Sequence, residues 1–370
     1  MNGEEFRTIV IDNGSDTCKS GFACDEAPRS VLQTALRRPK YISNFELTYV
    51  GDETCSHPSL LLTKFPVSHG IVTNWDDMER IWQYIFYKEL RVDPAEHAVL
   101  LTEAPKNPKA NREKMLQLQI ETFNVPACCI CTQPVLSLYS TDCVTGVVLE
   151  SGDGASYSVP IYEGYSFPHA TKRFNIAGFD ITLYLQKILN QRGYLTTFNE
   201  RKVVRDIKEI IAYVALDYDE ELAKADTTSE CDISYTLPNG DVISIGNERF
   251  RCTELLFQPH FGGFDFDGID QCLFASIMEC GADVRKDLFG NILLSGGNTM
   301  FEGLAERIEN EMLNLAPTTM RIKVVSPPER KYSAWIGGRK LASLSTFPQM
   351  VTTREEYDEF GPGIVHRKCF

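Results

Sequence analysis

The sequence predicts an α/β protein made of two homologous lobes. Extended segments alternate along the chain with segments of helical periodicity, which is typical of the α/β class. A strand that ends in an acid and a Gly-bearing turn occurs at residues 9–16 and again at residues 147–154. A repeat this far apart indicates a duplicated domain and not a solenoid. The length of 370 residues suits two domains or one duplicated unit.

The first lobe is predicted to open with a β-hairpin, in which the extended stretches 8–12 and 18–24 flank a polar turn. Asn74 is a good helix N-cap, and the acids and periodic apolar residues after it predict a helix. A strand follows at residues 98–101. A second helix is expected at residues 110–123, because prolines break the chain just before it.

The second lobe is predicted to open with the strands 147–152 and 156–162, which repeat the first hairpin. Helices are expected at residues 179–190 and 199–216. The second of these helices has an apolar stripe, predicted to face the core, that consists of Val203, Val204, Ile207, Ile210, Ile211 and Val214.

The composition excludes several classes of protein. The 37 basic residues against 51 acidic residues give a net charge of −14. Direct binding to DNA or RNA is not expected, because domains that bind nucleic acid are usually basic. No apolar run approaches the length that a membrane-spanning helix needs, and the polar, acidic N-terminus lacks the apolar stretch of a signal peptide.

The 12 cysteines predict reduced and mostly buried thiols. In a chain of this length they are not expected to form a disulfide framework. Cys128, Cys129 and Cys131 are close together, but no second pair of Cys or His stands at the spacing of a zinc site. Cys369, next to last in the sequence, is expected to be an exposed thiol.

Three glycine turns are candidates for binding phosphate, because such turns let backbone N–H groups converge on an anion. The turns contain Gly14 with Ser15, Gly152 with Gly154, and Gly296 with Gly297. The third turn separates a predicted strand at 291–295 from a predicted helix at 301–313. Asp12 and Glu150 precede the first two turns, and Mg²⁺ bound to a polyphosphate prefers a few carboxylates. Two facing lobes that each supply a turn and an acid would form a nucleotide clamp.

The chain contains neither GxxxxGK[ST] nor GxGxxG, so a P-loop or a Rossmann site is not predicted. Instead, the chain resembles actins from end to end. The matching segments are residues 12–15 (DNGS), 27–29 (APR), 49–53 (YVGDE), 69–78 (HGIVTNWDDM), 100–105 (LLTEAP), 107–115 (NPKANREKM), 162–165 (YEGY), 204–209 (VRDIKE), 285–288 (RKDL), 294–297 (LSGG), 327–333 (PPERKYS), 341–347 (LASLSTF) and 364–370 (IVHRKCF).

The resemblance implies the actin-like ATPase fold, in which two α/β lobes surround a deep ATP cleft. It also implies a cytoplasmic, cytoskeletal protein that binds ATP or ADP with Mg²⁺ (or Ca²⁺ in vitro) and self-assembles into polar filaments. Its ATP hydrolysis would be slow and speeded by assembly. The implied subdomains are 1–33, 66–140 and 333–370 (inner, first lobe), 34–65 (outer, first lobe), 141–176 and 265–332 (inner, second lobe), and 177–264 (outer, second lobe).

The resemblance also implies the residues of the nucleotide site by matching position. Ser15 and Lys19 resemble the residues that hold the β-phosphate, and Gln133 resembles the one that orients the attacking water. The expected Mg²⁺ ligands, acting through water, are Asp12, Glu150 and Asp153. The expected catalytic set is Gln133, Asp153, Tyr157 and Glu150. The expected cofactor-binding residues are Asp12, Gly14, Ser15, Asp16, Lys19, Gly152, Gly154, Gly178, Lys208, Glu209, Gly296, Gly297, Phe301 and Lys331.

Two further sets of residues match positions with a role in actins. His69, Asn107 and Arg173 match the side on which phosphate is released. An apolar groove is implied for partners of the profilin, cofilin and gelsolin type and for the next subunit's loop. Its residues are Tyr139, Tyr165, Leu341, Leu344, Thr346 and Met350.

Three departures from actins surround the expected γ-phosphate. Asp16 stands in place of glycine, Glu150 in place of aspartate, and Tyr157 in place of histidine. A carboxylate about 5 Å from one phosphate charge costs roughly 3 kcal/mol at an effective dielectric near 20, so Asp16 must turn outward, recruit the cation or weaken binding. Hydrolysis is therefore expected to be slower than in ordinary actins or differently coupled to assembly.

Other departures concern assembly. The loop at residues 39–48 is shorter than the DNase-binding loop of actins, although Phe45 could still anchor it in a groove. Glu4 and Glu5 form only a sparse acidic cluster, so contacts with motor proteins are expected to be weakened. The alternative is an actin-related protein that holds nucleotide structurally inside a larger complex. A sugar kinase of the same superfamily is a third and more distant candidate.

Overall fold

The computed structural model describes residues 7–39, 48–51, 61–194 and 201–369, and the predictions for Glu4, Glu5 and Phe45 lie outside them. The chain forms two compact units. Unit 1 comprises Met1–Val144, Glu163–Pro168 and Tyr332–Phe370, and unit 2 comprises Thr145–Tyr162 and His169–Lys331. The division into four subdomains stays a prediction.

The described strands are β1 (Ile9–Asn13), β2 (Thr17–Phe22), β3 (Ser30–Gln33), β4 (Leu36–Pro39), β5 (Tyr49–Val50), β6 (Leu61–Lys64), β7 (Val67–Ser68), β8 (Ile71–Val72), β9 (Val99–Glu103), β10 (Ala127–Thr132), β11 (Gly146–Ser151), β12 (Ser156–Tyr162), β13 (Tyr165–Ser166), β14 (Lys172–Phe174), β15 (Ile233–Thr236), β16 (Val242–Ile245), β17 (Ile292–Ser295), β18 (Val324–Val325) and β19 (Thr352–Thr353).

The described helices are α1 (Trp75–Tyr84), α2 (Lys109–Gln117), α3 (Gln133–Ser140), α4 (Gly178–Gln191), α5 (Arg201–Ile211), α6 (Tyr218–Thr227), α7 (Glu248–Glu254), α8 (Ile269–Met278), α9 (Ala282–Phe289), α10 (Leu304–Leu315), α11 (Ser333–Ala342), α12 (Phe347–Met350), α13 (Arg354–Phe360) and α14 (Val365–Lys368). The predicted α/β class is confirmed.

Unit 1 is built on one six-stranded sheet in the order β19-β10-β9-β1-β2-β3. The inner strands β1, β9 and β10 run parallel, whereas β1 and β2 form the predicted antiparallel hairpin. All residues of β1 and β9 are buried, as is usual for parallel strands covered on both faces. Trp82, Phe86 and Trp335 are among the fully buried side chains that cover the sheet.

The helix predicted after Asn74 is α1, and the Asn74 side chain accepts a hydrogen bond from the Asp77 backbone N–H, as an N-cap does. α1 continues into a π-helical segment, Ile85–Leu90. α2 likewise continues into a π-helical segment, Leu118–Thr122. α2 and this segment cover most of the helix predicted at residues 110–123.

Unit 2 repeats this plan. β11 and β12 form the predicted hairpin, β17 runs parallel to β11, and β18 runs parallel to β17. β14 pairs with β12 on the other side. Helix α8 packs on this sheet, and Ser276 donates a hydrogen bond to the Ala170 carbonyl from it. Strands β15 and β16 form a separate hairpin.

Three predictions about individual residues and boundaries are wrong. Ile210, assigned to the buried stripe of α5, has 69% of its side-chain surface exposed. Helix α5 ends at Ile211, several residues before its predicted end, since the chain then makes a single-residue β-bridge at Tyr213. Helix α10 begins at Leu304 and not at residue 301, because a short 3₁₀ turn follows the glycine pair.

Cys369 is also misplaced by the sequence-based prediction. It is only 2% exposed, because helix α14 returns the chain end against strand β10. The described cysteines are all free, and no group of side chains suited to a metal ion is found among the described residues. Within those same residues, no helix combines the length and apolar character needed to span a bilayer.

Candidate functional site

The first candidate turn, in unit 1, is anchored by an ion pair at the end of strand β1. Asp12 and Lys19 are opposite each other in the β1–β2 hairpin, and Lys19 Nζ lies 3.0 Å from Asp12 Oδ2. Both side chains are largely shielded, with 12% of Lys19 and 4% of Asp12 exposed. A cation is therefore held at the base of the turn by a buried carboxylate.

The other carboxylate oxygen of Asp12 has two partners. Thr102 Oγ1 donates to Asp12 Oδ1 over 2.7 Å, and Gln133 Nε2 donates to the same oxygen over 2.9 Å. Burial alone would raise the pKa of Asp12. The Lys19 ammonium and the two hydrogen bonds nevertheless hold this pKa below its usual value. Asp12 is thus a stable carboxylate at neutral pH.

Thr102 connects the end of strand β9 to the same turn. Its hydroxyl oxygen accepts from the Asn13 backbone N–H over 2.9 Å, and its carbonyl accepts from Asn13 Nδ2 over 3.0 Å. The Trp82 indole N–H donates to Asn13 Oδ1 over 3.0 Å. The backbone N–H and the side-chain amide of Asn13 thus all have partners, which connect the start of the turn to strand β9 and helix α1.

The turn itself is closely packed. A Cβ at Gly14 would lie 2.5 Å from the Thr17 carbonyl oxygen, so only glycine fits there. The Gly14 and Asp16 carbonyls accept hydrogen bonds from Thr34. Asp16 is half-buried and does not adopt a positive φ, so its side chain causes no backbone strain in the turn.

A second small hairpin in unit 1 contacts Ser15. Strands β7 and β8 are joined by His69 and Gly70, whose φ values are 51° and 79°, as a type I′ turn requires. The Gly70 N–H donates to Ser15 Oγ over 2.9 Å. Because the Ser15 oxygen is the acceptor, its own proton remains to be donated. His69 is exposed at the tip of this hairpin.

Asn107 is the other residue of unit 1 that is predicted to lie on the side where phosphate is released. It is hydrogen-bonded to the end of β9. Its Nδ2 donates to Glu103 Oε2 over 2.8 Å, and Glu103 Oε1 accepts from Arg112 Nε over 2.7 Å. Asn111 Nδ2 lies 3.4 Å from both Asn107 Oδ1 and the Val72 carbonyl. This network therefore connects helix α2 with strand β8.

The second candidate turn, in unit 2, follows strand β11. Glu150 and Tyr157 are opposite each other in the β11–β12 hairpin, and Tyr157 is opposite Arg173 of β14. The Arg173 guanidinium lies 5.8 Å from the Tyr157 ring centroid. The three strands thus bring together Glu150, Tyr157 and Arg173. Glu150 is a predicted metal-site acid, Tyr157 stands where actins have histidine, and Arg173 is predicted to lie on the side where phosphate is released.

Tyr157 is only 3% exposed, and burial raises its pKa to about 12. The Glu150 carboxylate adds to this rise, whereas the Arg173 guanidinium opposes it. A phenol with this pKa keeps its proton at neutral pH. Tyr157 can therefore donate a hydrogen bond, but it cannot accept a proton as a base in the way that an imidazole can.

The turn of residues 152–154 is packed against the start of helix α4. The Gly152 and Asp153 carbonyls accept from the backbone N–H groups of Gly178 and Phe179 over 3.0 and 2.9 Å. A Cβ at Gly178 would lie 3.3 Å from Asp153 Cα and 3.2 Å from Lys208 Nζ. Gly178 is therefore the residue that allows this close approach.

Lys208 is 4% exposed, and its ammonium donates to the Gly178 carbonyl over 2.8 Å. Burial lowers the pKa of Lys208, while the nearby Asp153 carboxylate opposes this effect. Its neighbour Glu209 points outward and lies 3.7 Å from Arg205, with 54% of the side chain exposed. Of these two predicted nucleoside-binding residues, only Lys208 is held next to the turn.

The third turn contacts the second one within unit 2. Gly296 has a φ of +93°, and a Cβ there would lie 2.3 Å from the Ser151 carbonyl oxygen. Its N–H donates to the Arg330 carbonyl over 3.0 Å. Gly297 faces the stem of Lys331, which is exposed, whereas Phe301 is buried. Strand β17 therefore ends in a turn that only glycine can form.

A chain of hydrogen bonds with a defined direction joins these two turns. Asn298 Nδ2 donates to Ser151 Oγ over 2.8 Å, the Ser151 and Ser156 hydroxyls are 2.7 Å apart, and Ser156 Oγ donates to the Ile176 carbonyl over 2.6 Å. Since the last acceptor is a carbonyl, Ser156 gives its proton to Ile176, and Ser151 must donate to Ser156. The Oδ1 atom of Asn298 is buried and has no hydrogen-bond partner among the described residues.

The residues predicted to form the partner groove all belong to unit 1, and they differ in exposure. Tyr165 and Leu344 are 64% and 49% exposed, and Thr346 is also exposed. Tyr139 and Met350 are half-buried. Leu341 is 3% exposed and packs in the hydrophobic core, so it adds almost no exposed apolar surface, and its role in a groove stays a prediction.

The sequence-based reasoning missed four residues of these turns, namely Asn13, Thr102, Ser156 and Asn298. Thr102 and Asn298 act through contacts between segments that are far apart in sequence, which spacing does not reveal. Asn298 had a signal, since it directly follows the Gly296–Gly297 pair. Asn13 and Ser156 also stand beside turn residues that were identified.

A comparison with protein families gives a match over nearly the whole chain. The family model described as Actin matches residues 3–370, which is essentially the whole chain and includes all three turns.

Proposed function

The chain belongs to the actin family, and we propose that it is a cytoskeletal protein that binds ATP or ADP with Mg²⁺ and assembles into polar filaments. We further propose that it hydrolyses ATP slowly, in a manner coupled to assembly. The single observation that supports this most strongly is the Asp12–Lys19 pair at the base of a glycine turn. It holds a cation and a carboxylate side by side where a polyphosphate and its metal would need them.

The turns fit a nucleotide phosphate on two structural grounds. Gly14 and Gly296 stand where any Cβ would collide with a carbonyl, which keeps both turns free of side-chain bulk. The Ser15 hydroxyl has accepted one hydrogen bond and can still donate its proton to an anion. Asn298 Oδ1 is a buried acceptor without a partner in the described structure, so it would bind a hydrogen-bond donor such as a water molecule and not a phosphate oxygen.

The roles that follow for unit 1 are binding and orientation. Ser15 and Lys19 would donate to phosphate oxygens, and Asp12 would hold a metal-bound water. Mg²⁺, when bound, would neutralise phosphate charge and polarise the reacting bond. Gln133 uses its Nε2 to bind Asp12, so its Oε1 is the atom that would accept a hydrogen bond from the attacking water. Asp12 would thereby fix the orientation of Gln133.

Unit 2 would contribute Asp153 and Glu150 toward metal-bound waters and Lys208 toward the nucleoside. Tyr157 would orient a water or a phosphate oxygen as a hydrogen-bond donor. Since it keeps its proton at neutral pH, it would not relay a proton, and this is the physical reason for proposing slow hydrolysis. Asp16 would remain a source of repulsion toward phosphate unless it turned away or contacted the metal.

Assembly is proposed from the family and from Tyr165 and Leu344, two residues predicted for the groove, because large exposed apolar side chains are frequent at interaction sites. Burial of one such side chain contributes about 1.5–3 kcal/mol. The variant Leu344→Arg should therefore raise the concentration needed for assembly by about tenfold or more. Val242→Arg is a control, because Val242 is 64% exposed but lies in unit 2, on strand β16.

The proposal is tested by nucleotide exchange with a fluorescent ATP analogue, followed by pelleting with Mg-ATP. Ser15→Ala should weaken ATP binding by about 10- to 100-fold, since it removes one hydrogen bond to a charged group. Ser345→Ala, in an exposed segment, is the matched control. If the wild type binds no nucleotide, the proposal fails. If it binds nucleotide but forms no filaments, the complex-bound alternative is supported instead.

A further inference from the structure

Asparagine is followed by glycine three times in the sequence, at residues 2–3, 13–14 and 239–240, and the first pair lies outside the described residues. This dipeptide is chemically reactive, because a glycine has no side chain to hinder its nitrogen from reaching the preceding amide carbon. Asparagine is also one of the thermolabile residues of proteins. The two described pairs share this reactive sequence, so their surroundings decide which of them can react.

Asn239 and Gly240 belong to the turn of the β15–β16 hairpin. The Gly240 N–H donates to the Leu237 carbonyl over 2.9 Å, and the Leu237 N–H donates to the Asp241 carbonyl over 2.8 Å. Gly240 has a φ of +92°, so the loop is a type I turn followed by a glycine in the left-handed region. Asn239 and Gly240 are both exposed, and a Cβ at Gly240 would have no neighbour within 4 Å in the described structure. The hydrogen bond that holds the Gly240 nitrogen thus belongs to an open, solvent-exposed turn.

The side-chain amide of Asn239 is polarised by the residue that follows the glycine. The Asp241 backbone N–H donates to Asn239 Oδ1 over 3.1 Å, and Asn239 Nδ2 donates to Asp241 Oδ2 over 2.7 Å. When a nucleophile attacks the amide carbon, negative charge develops on Oδ1. The Asp241 N–H already points at this oxygen, and a donor in that position stabilises the charge.

Asn13 and Gly14 have the same chemistry in a protected position. Asn13 is 6% exposed, its Nδ2 donates to the Thr102 carbonyl, and its Oδ1 accepts from the Trp82 indole N–H. A Cβ at Gly14 would lie 2.5 Å from a backbone carbonyl oxygen, so the turn has little room to rearrange. Bringing the glycine nitrogen to the amide carbon would break this buried network, whereas at Asn239 it opens an exposed turn.

We propose that Asn239 is a modification site, at which the side-chain amide is converted by water to aspartate or isoaspartate without an enzyme. The Gly240 nitrogen gives its proton to water and forms a bond to Asn239 Cγ. The bond from Cγ to Nδ2 breaks, and Nδ2 takes up a proton and leaves as ammonia. A cyclic imide results. Water then opens it at Cγ to give aspartate, or at the backbone carbon to give isoaspartate. One water is consumed, one ammonia is released, and no electrons are transferred.

The product changes both the charge and the length of the loop. A carboxylate replaces the amide that donates to Asp241, so a 2.7 Å hydrogen bond becomes a contact between two acids. In isoaspartate one more carbon enters the backbone, and the register of a hairpin depends on the length of its loop. The backbone amides of Leu237 and Gly240 should therefore exchange with deuterium about fivefold faster, since each loses its hydrogen bond.

The test uses the full chain, kept folded at mildly alkaline pH, sampled over time and mapped by mass spectrometry. The Asn239 peptide should gain about 1 Da and separate into two isomers. Asn13 should convert more slowly by about tenfold or more, and in urea it should react as fast as Asn239. Asn124 is exposed but precedes valine, so it is the internal control and should stay unchanged. Asn239→Gln should abolish the change, because the longer side chain would need a larger ring.

The wild-type map decides the matter without any variant. An Asn239 peptide that converts in urea but not in the folded chain would overturn the proposal, because the turn would then protect the amide. Equal rates for Asn13 and Asn239 in the folded chain would contradict the role given to their surroundings. An enzyme that methylates isoaspartate should label one of the two isomers. If it labels neither, the amide is hydrolysed directly and the imide route is wrong.

Discussion

Replacement of Thr102 by valine removes one hydroxyl and nearly preserves the shape of the side chain. That hydroxyl donates to Asp12 Oδ1 and accepts from the Asn13 N–H, and Thr102 itself is fully buried. The variant Thr102→Val therefore leaves one buried N–H without a partner and takes one donor from a buried carboxylate.

The expected loss follows from these two contacts. A hydrogen bond to a charged group contributes about 1.5–3 kcal/mol, and a buried N–H left unsatisfied costs about 1–3 kcal/mol. Asp12 keeps its contacts with Lys19 and Gln133, so the free energy lost with its Thr102 hydrogen bond should lie near the low end of the range for charged groups. We expect a total loss of about 3 kcal/mol in the free energy of unfolding. For a unit of this size, that corresponds to a fall of roughly 6–12 °C in Tm.

The assay is thermal unfolding followed by tryptophan fluorescence, with both proteins saturated with Mg-ATP. Trp82 is a suitable reporter because its indole N–H bonds to Asn13 in the same network. Thr102→Ser is the control, since it keeps the hydroxyl and should lose only about 1 kcal/mol for the missing methyl group. A Tm for Thr102→Val equal to that of Thr102→Ser would refute the reasoning, because the hydroxyl would then contribute nothing.

Three further predictions concern the other turn residues. Gly296→Ala should lower the free energy of unfolding by more than about 1 kcal/mol in urea titrations, because of its positive φ and the carbonyl oxygen 2.3 Å from the new Cβ. Gly152→Ala is the control for stability, since its Cβ would have only one neighbour, at 3.8 Å. Lys19→Met should cost about 3–5 kcal/mol at pH 7, because the buried Asp12 carboxylate loses its cation. In the wild type the depressed pKa of Asp12 gives stability that is present above about pH 4 and is lost as the pH falls through the folded pKa. In the variant burial dominates and raises that pKa, so the difference in stability should shrink from pH 7 toward pH 4, and a constant difference would contradict this account. Tyr157→His should speed phosphate release under assembly conditions by about tenfold or more, whereas Tyr157→Phe should not, and equal rates in all three proteins would exclude Tyr157 as the cause of slow hydrolysis.

The hairpins and their turns could be predicted from the sequence because their signals are local. Alternation of apolar residues, an acid at the strand end and a following glycine all lie within about ten residues, and β1–β2 and β11–β12 formed as expected. The end of α5 and the start of α10 could not be predicted in this way. They depend on a bridge between Tyr213 and Glu302 and on the glycine turn before α10, which no helical period encodes.

The residues of the candidate site, like the secondary structure, could be predicted mainly where their signal was local in the sequence. Thr102 and Asn298 were missed because their contacts join segments that are far apart in the sequence, and Asn13 and Ser156 were missed although they stand beside turn residues that were identified. The burial of individual side chains was also difficult to predict from the sequence. Leu341 and Cys369 were both placed at the surface, since their positions near the chain end gave no sign that α11 and α14 pack them inward. Ile210 shows the opposite error, because a periodic apolar residue need not face the core.

The contact between Cys369 and the Ile130 N–H has a consequence for how the sheet of unit 1 ends. Strand β19 covers β10 for only two residues, which would leave the rest of β10 as an open edge with an unpaired donor. Open edges are templates for pairing with another chain, and proteins cover them to avoid aggregation. The Cys369 thiol, which accepts from the Ile130 N–H, provides part of that cover here. A chain shortened by its final two residues would therefore lose protection against edge-to-edge association.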